Sequence, residues 1–135
     1  MASKIFMIDI DKNSQSPFII FEGQKDHGDK LVREAQQIIE QSYREKMTVD
    51  NLVADIALSR RSLERRFKYA TSNTVVEYIQ RVKVEAARKL FETTRKNVNE
   101  IMYEVGYSDT KSFRELFKRI TGLTPVEYRN KYRIS

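Results

Sequence analysis

The sequence contains no cysteine, and it has only one histidine, two prolines and four glycines among its 135 residues. The lack of cysteine excludes disulfide bonds, thiol catalysis and cysteine-based zinc modules. With His27 as its only histidine, the chain lacks the material for most imidazole metal centres and most catalytic pairs that use histidine as a base. An isolated histidine near a helix start is usually a surface residue, so we predict neither a metal nor a cofactor.

Long apolar runs are also missing. No segment approaches the about 18 apolar residues that a membrane-spanning helix needs. The N-terminal residues lack the charged, apolar and small-residue regions of a signal peptide. With 40% hydrophobic residues and a mean hydropathy of −0.61, the composition is typical of a soluble globular protein. We therefore expect a cytoplasmic protein without a membrane partner.

Acidic residues are scarce relative to basic ones in the C-terminal two thirds of the chain. Residues 1–47 carry seven Lys or Arg and eight Asp or Glu, whereas residues 48–135 carry eighteen and eleven. The net charge is +6 and the isoelectric point is about 9.5. This asymmetry predicts a polyanionic partner, and it favours nucleic acid over an anionic membrane surface.

Hydrophobic spacing predicts an all-α fold of seven helices, with no strand pattern after Asp26. Residues 1–26 are interpreted as a linker or the remnant of an upstream domain. The first helix is expected at about 28–45. Start signals predict six more helices, which begin at Thr48, Ser59, Asn73 or Thr74, Asn97, Ser108 or Asp109, and Thr124, and which end near Ile56, Ala70, Thr93, Val105, Thr121 and Tyr132.

An internal repeat organises this helical region. Residues 67–78 align with residues 117–128 at an offset of 50, and seven of the twelve positions are identical. Further upstream the match shifts by one residue, so that Ala57 corresponds to Gly106. The chain therefore contains one supersecondary unit twice.

Each copy of the repeat has the pattern of a helix-turn-helix unit. A short helix is followed by a small residue, an apolar residue, a capping position and a second helix; the two units are expected at about 48–70 and 97–121, with a linker helix at about 74–93. Gly106 can adopt the left-handed conformation of such a turn without strain. Ala57 is expected to adopt it at a cost of roughly 1 kcal/mol. The second helix of each unit should project outward, as a helix that enters a DNA major groove does.

The projecting helices expose basic and polar side chains around a buried pair, Leu63 with Phe67 and Phe113 with Phe117. Arginine can pair with both acceptors of guanine, and glutamate can accept a hydrogen bond from cytosine. The predicted DNA-binding residues are Ser59, Arg60, Arg61, Ser62, Glu64 and Arg65 in the first unit, and Thr110, Lys111, Ser112, Arg114, Glu115 and Lys118 in the second.

Three other functions compete with DNA binding. The basic helices could dock an acidic protein, which salt-sensitive binding to duplex DNA would discriminate. Nonspecific binding of single strands would need stacked aromatics, but Phe67, Phe113, Phe117, Tyr78 and Tyr128 have core spacing. An enzyme would need paired carboxylates, a phosphate loop or a nucleophile motif, and none is present. DNA-repair proteins that carry a helical domain of this kind need reactive cysteines, which this chain lacks.

Residues 98–129 (VNEIMYEVGYSDTKSFRELFKRITGLTPVEYR) closely resemble the signature of the AraC/XylS family of bacterial transcription regulators. The resemblance extends through residues 81–90, which look like the linker helix of that family, and covers about 30–132. Residues 15–18 and 23–29 resemble the segment that joins an amidase-like ligand domain to the DNA-binding domain in one branch of the family.

The resemblance implies a DNA-binding domain over 27–135 with two helix-turn-helix subdomains and one recognition helix in each. Residues 74–93 would form a linker helix of roughly 30 Å, which suits two recognition helices in adjacent major grooves. Glu115 departs from the family, because many members have a basic residue there. RNA polymerase is an expected further partner. This fragment is expected to be a monomer, and the full-length protein a dimer.

Overall fold

The computed structural model describes residues 26–132, so the predicted linker or remnant lies outside the described residues except for Asp26. Over 26–132 the chain is helical and contains no strand, which confirms the predicted all-α fold of seven helices. The helices are α1 (Lys30–Ser42), α2 (Val49–Val53), α3 (Arg60–Thr71), α4 (Val75–Thr93), α5 (Val98–Glu104), α6 (Thr110–Thr121) and α7 (Pro125–Lys131).

Side-chain caps fix most helix starts where the sequence predicts them. Capping boxes begin α2, α5 and α7 at Thr48, Asn97 and Thr124. Thr74, rather than Asn73, caps α4, because its Oγ1 accepts a hydrogen bond of 3.0 Å from the backbone N–H of Glu77. Asp109, rather than Ser108, caps α6 by accepting from the N–H of Ser112. Each cap satisfies backbone donors that the first helical turn leaves without a partner.

The two turns of the repeat differ, and the expected strain at Ala57 is wrong. The described residues contain one non-glycine residue with positive φ, and it is Ser72 (φ 64°). Helix α2 ends at Val53 rather than near Ile56, and Ile56 donates to the carbonyl of Val53 at 3.3 Å in a tight turn. The first turn is therefore long enough to avoid the left-handed conformation. In the second turn, which is one residue shorter, Gly106 adopts φ 93°.

The described residues divide into two compact units. The first consists of the residues up to Gln41 together with Thr48–Glu77. In its core, Val32 and Gln36 of α1 are fully buried, whereas Leu31 and Ile38 are half-buried. The other fully or almost fully buried apolar side chains of this unit are Ala35, Ile39, Val49, Leu52, Ile56, Leu63, Phe67 and Val75.

His27 is half-buried at the start of α1. Its Nδ1 accepts a hydrogen bond from the N–H of Asp29 at 3.2 Å, so its Nε2 carries the proton and donates to Oε1 of Gln36 at 3.1 Å. Asp29 in turn accepts two hydrogen bonds of 2.9 Å from Arg66 of α3. This paired geometry lowers the pKa of Asp29 and fixes α3 against the start of α1.

The second unit consists of Ser42–Met47 and the chain from Tyr78 onward, and in it α5, α6 and α7 pack on one another. An aromatic cluster forms its core: Phe117 lies 5.5 Å from Phe91 and 5.3 Å from Tyr128, centroid to centroid. These near-perpendicular arrangements are favourable for aromatic rings. The burial of Phe117 and Tyr128 confirms the interpretation of these two aromatics as core residues.

A polar network borders this cluster. Arg88 donates to Glu85 and to the hydroxyl of Tyr128, each at 3.1 Å, and that hydroxyl donates to Glu92. Burial raises the pKa of Glu85 to about 7, although the positive charge of Arg88 opposes the shift. Desolvation of the carboxylate therefore outweighs the attraction within this ion pair.

Over residues 26–132, no helix is long and apolar enough to cross a membrane.

Candidate nucleic-acid interface

Helix α3 is held on its inner side and its flank. Leu63 and Phe67 are fully buried, and Arg66 is bound to Asp29. The N-cap Ser59 accepts a hydrogen bond of 3.1 Å from the N–H of Ser62, so both serines take part in the helix start. These contacts leave one face of α3 directed away from the core.

Four residues of α3 form what we call the α3 stripe: Arg61, Arg65, Lys68 and Tyr69. Their spacing of four, seven and eight residues places them on one side of the helix, and all four are exposed. Within the described residues, Arg61 and Arg65 have no hydrogen-bond or ion-pair partner. Lys68 donates to the carbonyl of Ser72 at 3.2 Å, and its ammonium nitrogen lies 4.0 Å from a carboxylate oxygen of Glu77. The stripe therefore offers two guanidinium groups that are available to an external ligand.

The other charged residues predicted for the first unit are engaged with each other. Arg60 donates to Asp50 of α2 at 3.0 Å and to Glu64 at 3.3 Å. These two hydrogen bonds raise the pKa of Arg60. Neither Arg60 nor Glu64 lies on the α3 stripe. The hydrogen bond from Arg60 to Asp50 links α3 to α2.

Helix α6 has the same arrangement of an N-cap and a buried inner side as α3, but with different residues. Its N-cap Asp109 accepts from the N–H of Ser112 at 3.2 Å and from the hydroxyl of the same residue, which lowers the pKa of Asp109. Phe113 and Phe117 are buried on the inner side. Tyr107, the apolar residue after the turn, packs against Phe113 in the angle between the two helices of the unit. The centroids of the two rings lie 5.6 Å apart.

The exposed side of α6 carries the α6 stripe, which is formed by Lys111, Glu115, Lys118 and Arg119 at the same spacing as in α3. All four residues are exposed, and only Arg119 has a hydrogen bond to a described residue, at 3.5 Å to Gln80. Two further predicted residues, Thr110 and Arg114, are exposed beside the stripe. The second stripe thus has three cations around one carboxylate.

Lys83 of α4 supports the second turn from inside, and sequence analysis missed it. Its side chain is only 6% exposed. The ammonium donates to the carbonyls of Glu45 and Val105, each at 3.1 Å, and to that of Tyr43. Burial lowers the pKa of Lys83. The position of this lysine between Val82 and Val84 is the sequence signal that could have shown a buried role.

Tyr69 is the second residue that sequence analysis missed. Its side chain is 92% exposed, although tyrosine is usually at least partly buried. It lies four residues after Arg65 and eight after Arg61, and this spacing alone could have placed it on the α3 stripe. Its hydroxyl is therefore available for an external hydrogen bond.

Residues 52–131 match the profile of the helix-turn-helix domain family. Over 93 residues the chain is 37% identical to the bifunctional transcriptional activator/DNA repair enzyme AdaA of Bacillus subtilis, with 69% of the chain and 44% of that protein covered. The chain therefore spans less than half the length of this relative.

Two solved structures have a similar fold. One is the DNA-binding domain of AdpA, a global transcriptional factor, in complex with a target DNA: the TM-score is 0.73, the identity is 28%, and 78% of this chain and 95% of that chain are covered. The other is a Chromobacterium violaceum regulator described as containing an AraC-type DNA-binding domain: the TM-score is 0.71, the identity 26% and the coverage 76% and 91%. The chain therefore belongs to the helix-turn-helix family of AraC-type DNA-binding domains.

Proposed function

We propose that this chain binds double-stranded DNA sequence-specifically, with α3 and α6 each inserted into a major groove, as the DNA-binding part of a transcription regulator. The observation that carries the proposal is the pair of exposed stripes, in which cations without strong internal partners lie on the outward sides of two helix-turn-helix units. A projecting helix of this kind fits the major groove. The similar fold of the AdpA domain, which is in complex with a target DNA, supports DNA as the partner.

The proposal assigns different tasks to the predicted residues. Arg61, Arg65, Arg114 and Glu115 read base edges, since they are exposed on or beside the stripes. Lys111, Lys118 and Thr110 contact phosphates, as does the additional residue Lys68. Ser59, Ser62 and Ser112 shape the helix starts, and Arg60 with Glu64 braces the first unit.

Regulatory partners follow from the family rather than from particular side chains. The chain spans only part of its relative, so the function of the whole protein is a separate proposal. We propose that the whole protein controls transcription in the cytoplasm and engages RNA polymerase when bound to DNA. Two reading helices in one chain can bind two major-groove segments, so we propose that the fragment binds as a monomer while the full-length protein dimerises.

We propose that the chain has no enzymatic activity. The AdaA relative is named as a DNA repair enzyme as well as an activator. Thiol chemistry is not open to a chain without cysteine. Within residues 26–132 there is also no group of three metal-ligating side chains that could hold a metal ion.

Salt dependence of duplex binding tests the proposal. The net charge of residues 48–135, eighteen basic minus eleven acidic residues or +7, suggests about six phosphate contacts in all, including those named above. The logarithm of the affinity should therefore fall with the logarithm of salt concentration with a slope near −5. Titration of a labelled duplex library at several salt concentrations measures this slope. Arg65→Ala should weaken binding to the best site by about 1–3 kcal/mol. Its control is Lys30→Ala, a change at an exposed cation of α1, which should bind like the unmodified chain. Affinity that does not change with salt, or preferential binding to an acidic protein, would contradict the proposal.

A further inference from the structure

The positions of the two projecting helices can be compared by counting residues from their N-caps. Ser59 caps α3 and Asp109 caps α6, so each position in α3 corresponds to the residue 50 later in α6. The second helical residue is a cation in both helices, Arg61 and Lys111, and the ninth is Lys68 or Lys118. The two ends of the stripes are therefore chemically alike.

The centres of the stripes are opposite in charge. The sixth helical residue lies midway across the exposed face, and it is Arg65 in α3 but Glu115 in α6. The preceding residue is also reversed, from Glu64 to Arg114. Both central residues are exposed. The two stripes thus have cations at the same outer positions, but their central residues have opposite charges.

Glu115 has no structural task that would explain a carboxylate at this position. Lys111, Lys118 and Arg119 each lie one helical turn away on its own face, yet none of them forms an ion pair with it in the described structure. The corresponding residue Arg65 is equally without a partner there. A carboxylate close to phosphates is repelled by them. A carboxylate on a DNA-binding helix therefore weakens binding unless it accepts a hydrogen bond from the DNA.

We call the DNA segments that α3 and α6 contact the first and the second half-site. We propose that Arg65 and Glu115 make the base preferences of the two half-sites different, with Arg65 selecting guanine and Glu115 selecting cytosine. Guanine presents the N7 and O6 acceptors in the major groove, which match the paired donors of an arginine. Cytosine presents its N4 amino group as a donor, which a carboxylate accepts. Only the cytosine edge offers Glu115 a donor with no neighbouring acceptor on the same base. This inference rests on the proposed function, since it names which base each helix reads.

A charge swap tests the assignment. Selection from a randomised duplex library is carried out with the unmodified chain, Arg65→Glu, Glu115→Arg and the double variant. Arg65→Glu should change guanine to cytosine at one position of the first half-site and leave the second half-site unchanged. Glu115→Arg should do the reverse, and the double variant should exchange the two preferences. Each change of preference should be about tenfold or more.

Matched variants distinguish a change in base recognition from an effect of the net charge alone. Lys30→Glu and Glu34→Arg make the same charge changes at exposed residues of α1, and they should leave the selected sequence unchanged. Glu115→Gln keeps the size of the side chain and should shift the preference toward adenine, the base that glutamine pairs with. Circular dichroism melting shows that each variant is folded.

The outcomes distinguish this inference from the proposed function. If the unmodified chain selects a site but the swaps leave that site unchanged, the assignment of Arg65 and Glu115 is wrong while DNA binding stands. An equal gain of affinity for all sequences in Glu115→Gln would show that Glu115 only weakens binding, and this too would overturn the inference. If the unmodified chain selects no sequence, the proposed function fails first.

Discussion

The ammonium nitrogen of Lys83 lies 2.7 Å from the point that a Cβ atom at Gly106 would occupy. The carbonyl oxygen of Arg44 lies 2.8 Å from the same point, and residue 106 has φ 93°. Lys83 cannot withdraw easily, because its ammonium group is bound to three carbonyls. The second turn therefore excludes any side chain for two reasons, backbone conformation and lack of space.

Gly106→Ala should lower the free energy of unfolding by about 2–4 kcal/mol, because strain and overpacking add. Gly122→Ala is the matched control: it has a similar φ of 88°, but no atom lies within 4 Å of its Cβ position. That control should lose only about 1 kcal/mol. Urea unfolding of both variants gives the two values. Equal losses would show that the contacts of Lys83 and Arg44 can relax without cost.

Ser72 holds the left-handed position that glycine holds in the second unit. It ends α3 with φ 64°, whereas Gly122 ends α6. The Ser72 side chain is exposed and makes no hydrogen bond to a described residue. Ser72→Gly should therefore raise the free energy of unfolding by about 0.5–1 kcal/mol, since strain is relieved and only unfolded-state entropy opposes it. Ser72→Ala keeps the strain and should change stability little. Thermal unfolding compares the two, and destabilisation by Ser72→Gly would contradict the reasoning.

Local signals explain why the helices could be predicted from the sequence. A capping box lies within four residues, so Asn97 with Glu100 or Thr124 with Glu127 can be recognised without knowledge of the fold. The choice of Thr74 over Asn73 could not be made in this way. It depends on which of two adjacent polar residues meets Glu77, and both are chemically able to cap.

Features set by distant residues could not be predicted. The acceptors of Lys83 lie 22 to 40 residues away in the chain, so no sequence window contains both donor and acceptors. The conformation of Ala57 depends on where α2 ends, which the repeat alignment did not show. For the candidate site the spacing predicted the exposed face, yet the engagement of Arg60 by Asp50 became visible only in three dimensions. Contact of the predicted residues with DNA stays a prediction.

Glu85 should make the stability depend on pH. Burial raises its pKa from 4.5 to about 7, so between these values the folded chain retains a proton that the unfolded chain has released. The free energy of unfolding should therefore fall as the pH rises through this window, by on the order of 2 kcal/mol from this residue. Glu85→Gln removes the titration and keeps an acceptor for Arg88. Urea unfolding at pH 5 and pH 8 should show a smaller difference in the variant, and an unchanged difference would contradict the role of Glu85.

Arg61 and Lys118 should affect DNA binding in different ways. Arg61 lies on the α3 stripe near the start of the helix, where base edges are met, whereas Lys118 lies toward the end of α6 and is expected to meet phosphate. Arg61→Ala should weaken binding to a selected site by about 1–3 kcal/mol and relax the base preference at one position.

Lys118→Ala should instead weaken binding to all sequences alike and make the salt slope less steep by about one, since a phosphate contact carries no base information. Fluorescence anisotropy with the selected duplex and with a scrambled duplex of the same length measures both effects. The ratio of the two affinities should fall for Arg61→Ala and stay constant for Lys118→Ala. If Arg61→Ala weakens both duplexes equally, Arg61 contacts the backbone, and the face of α3 that reads bases is centred on residues further along the helix.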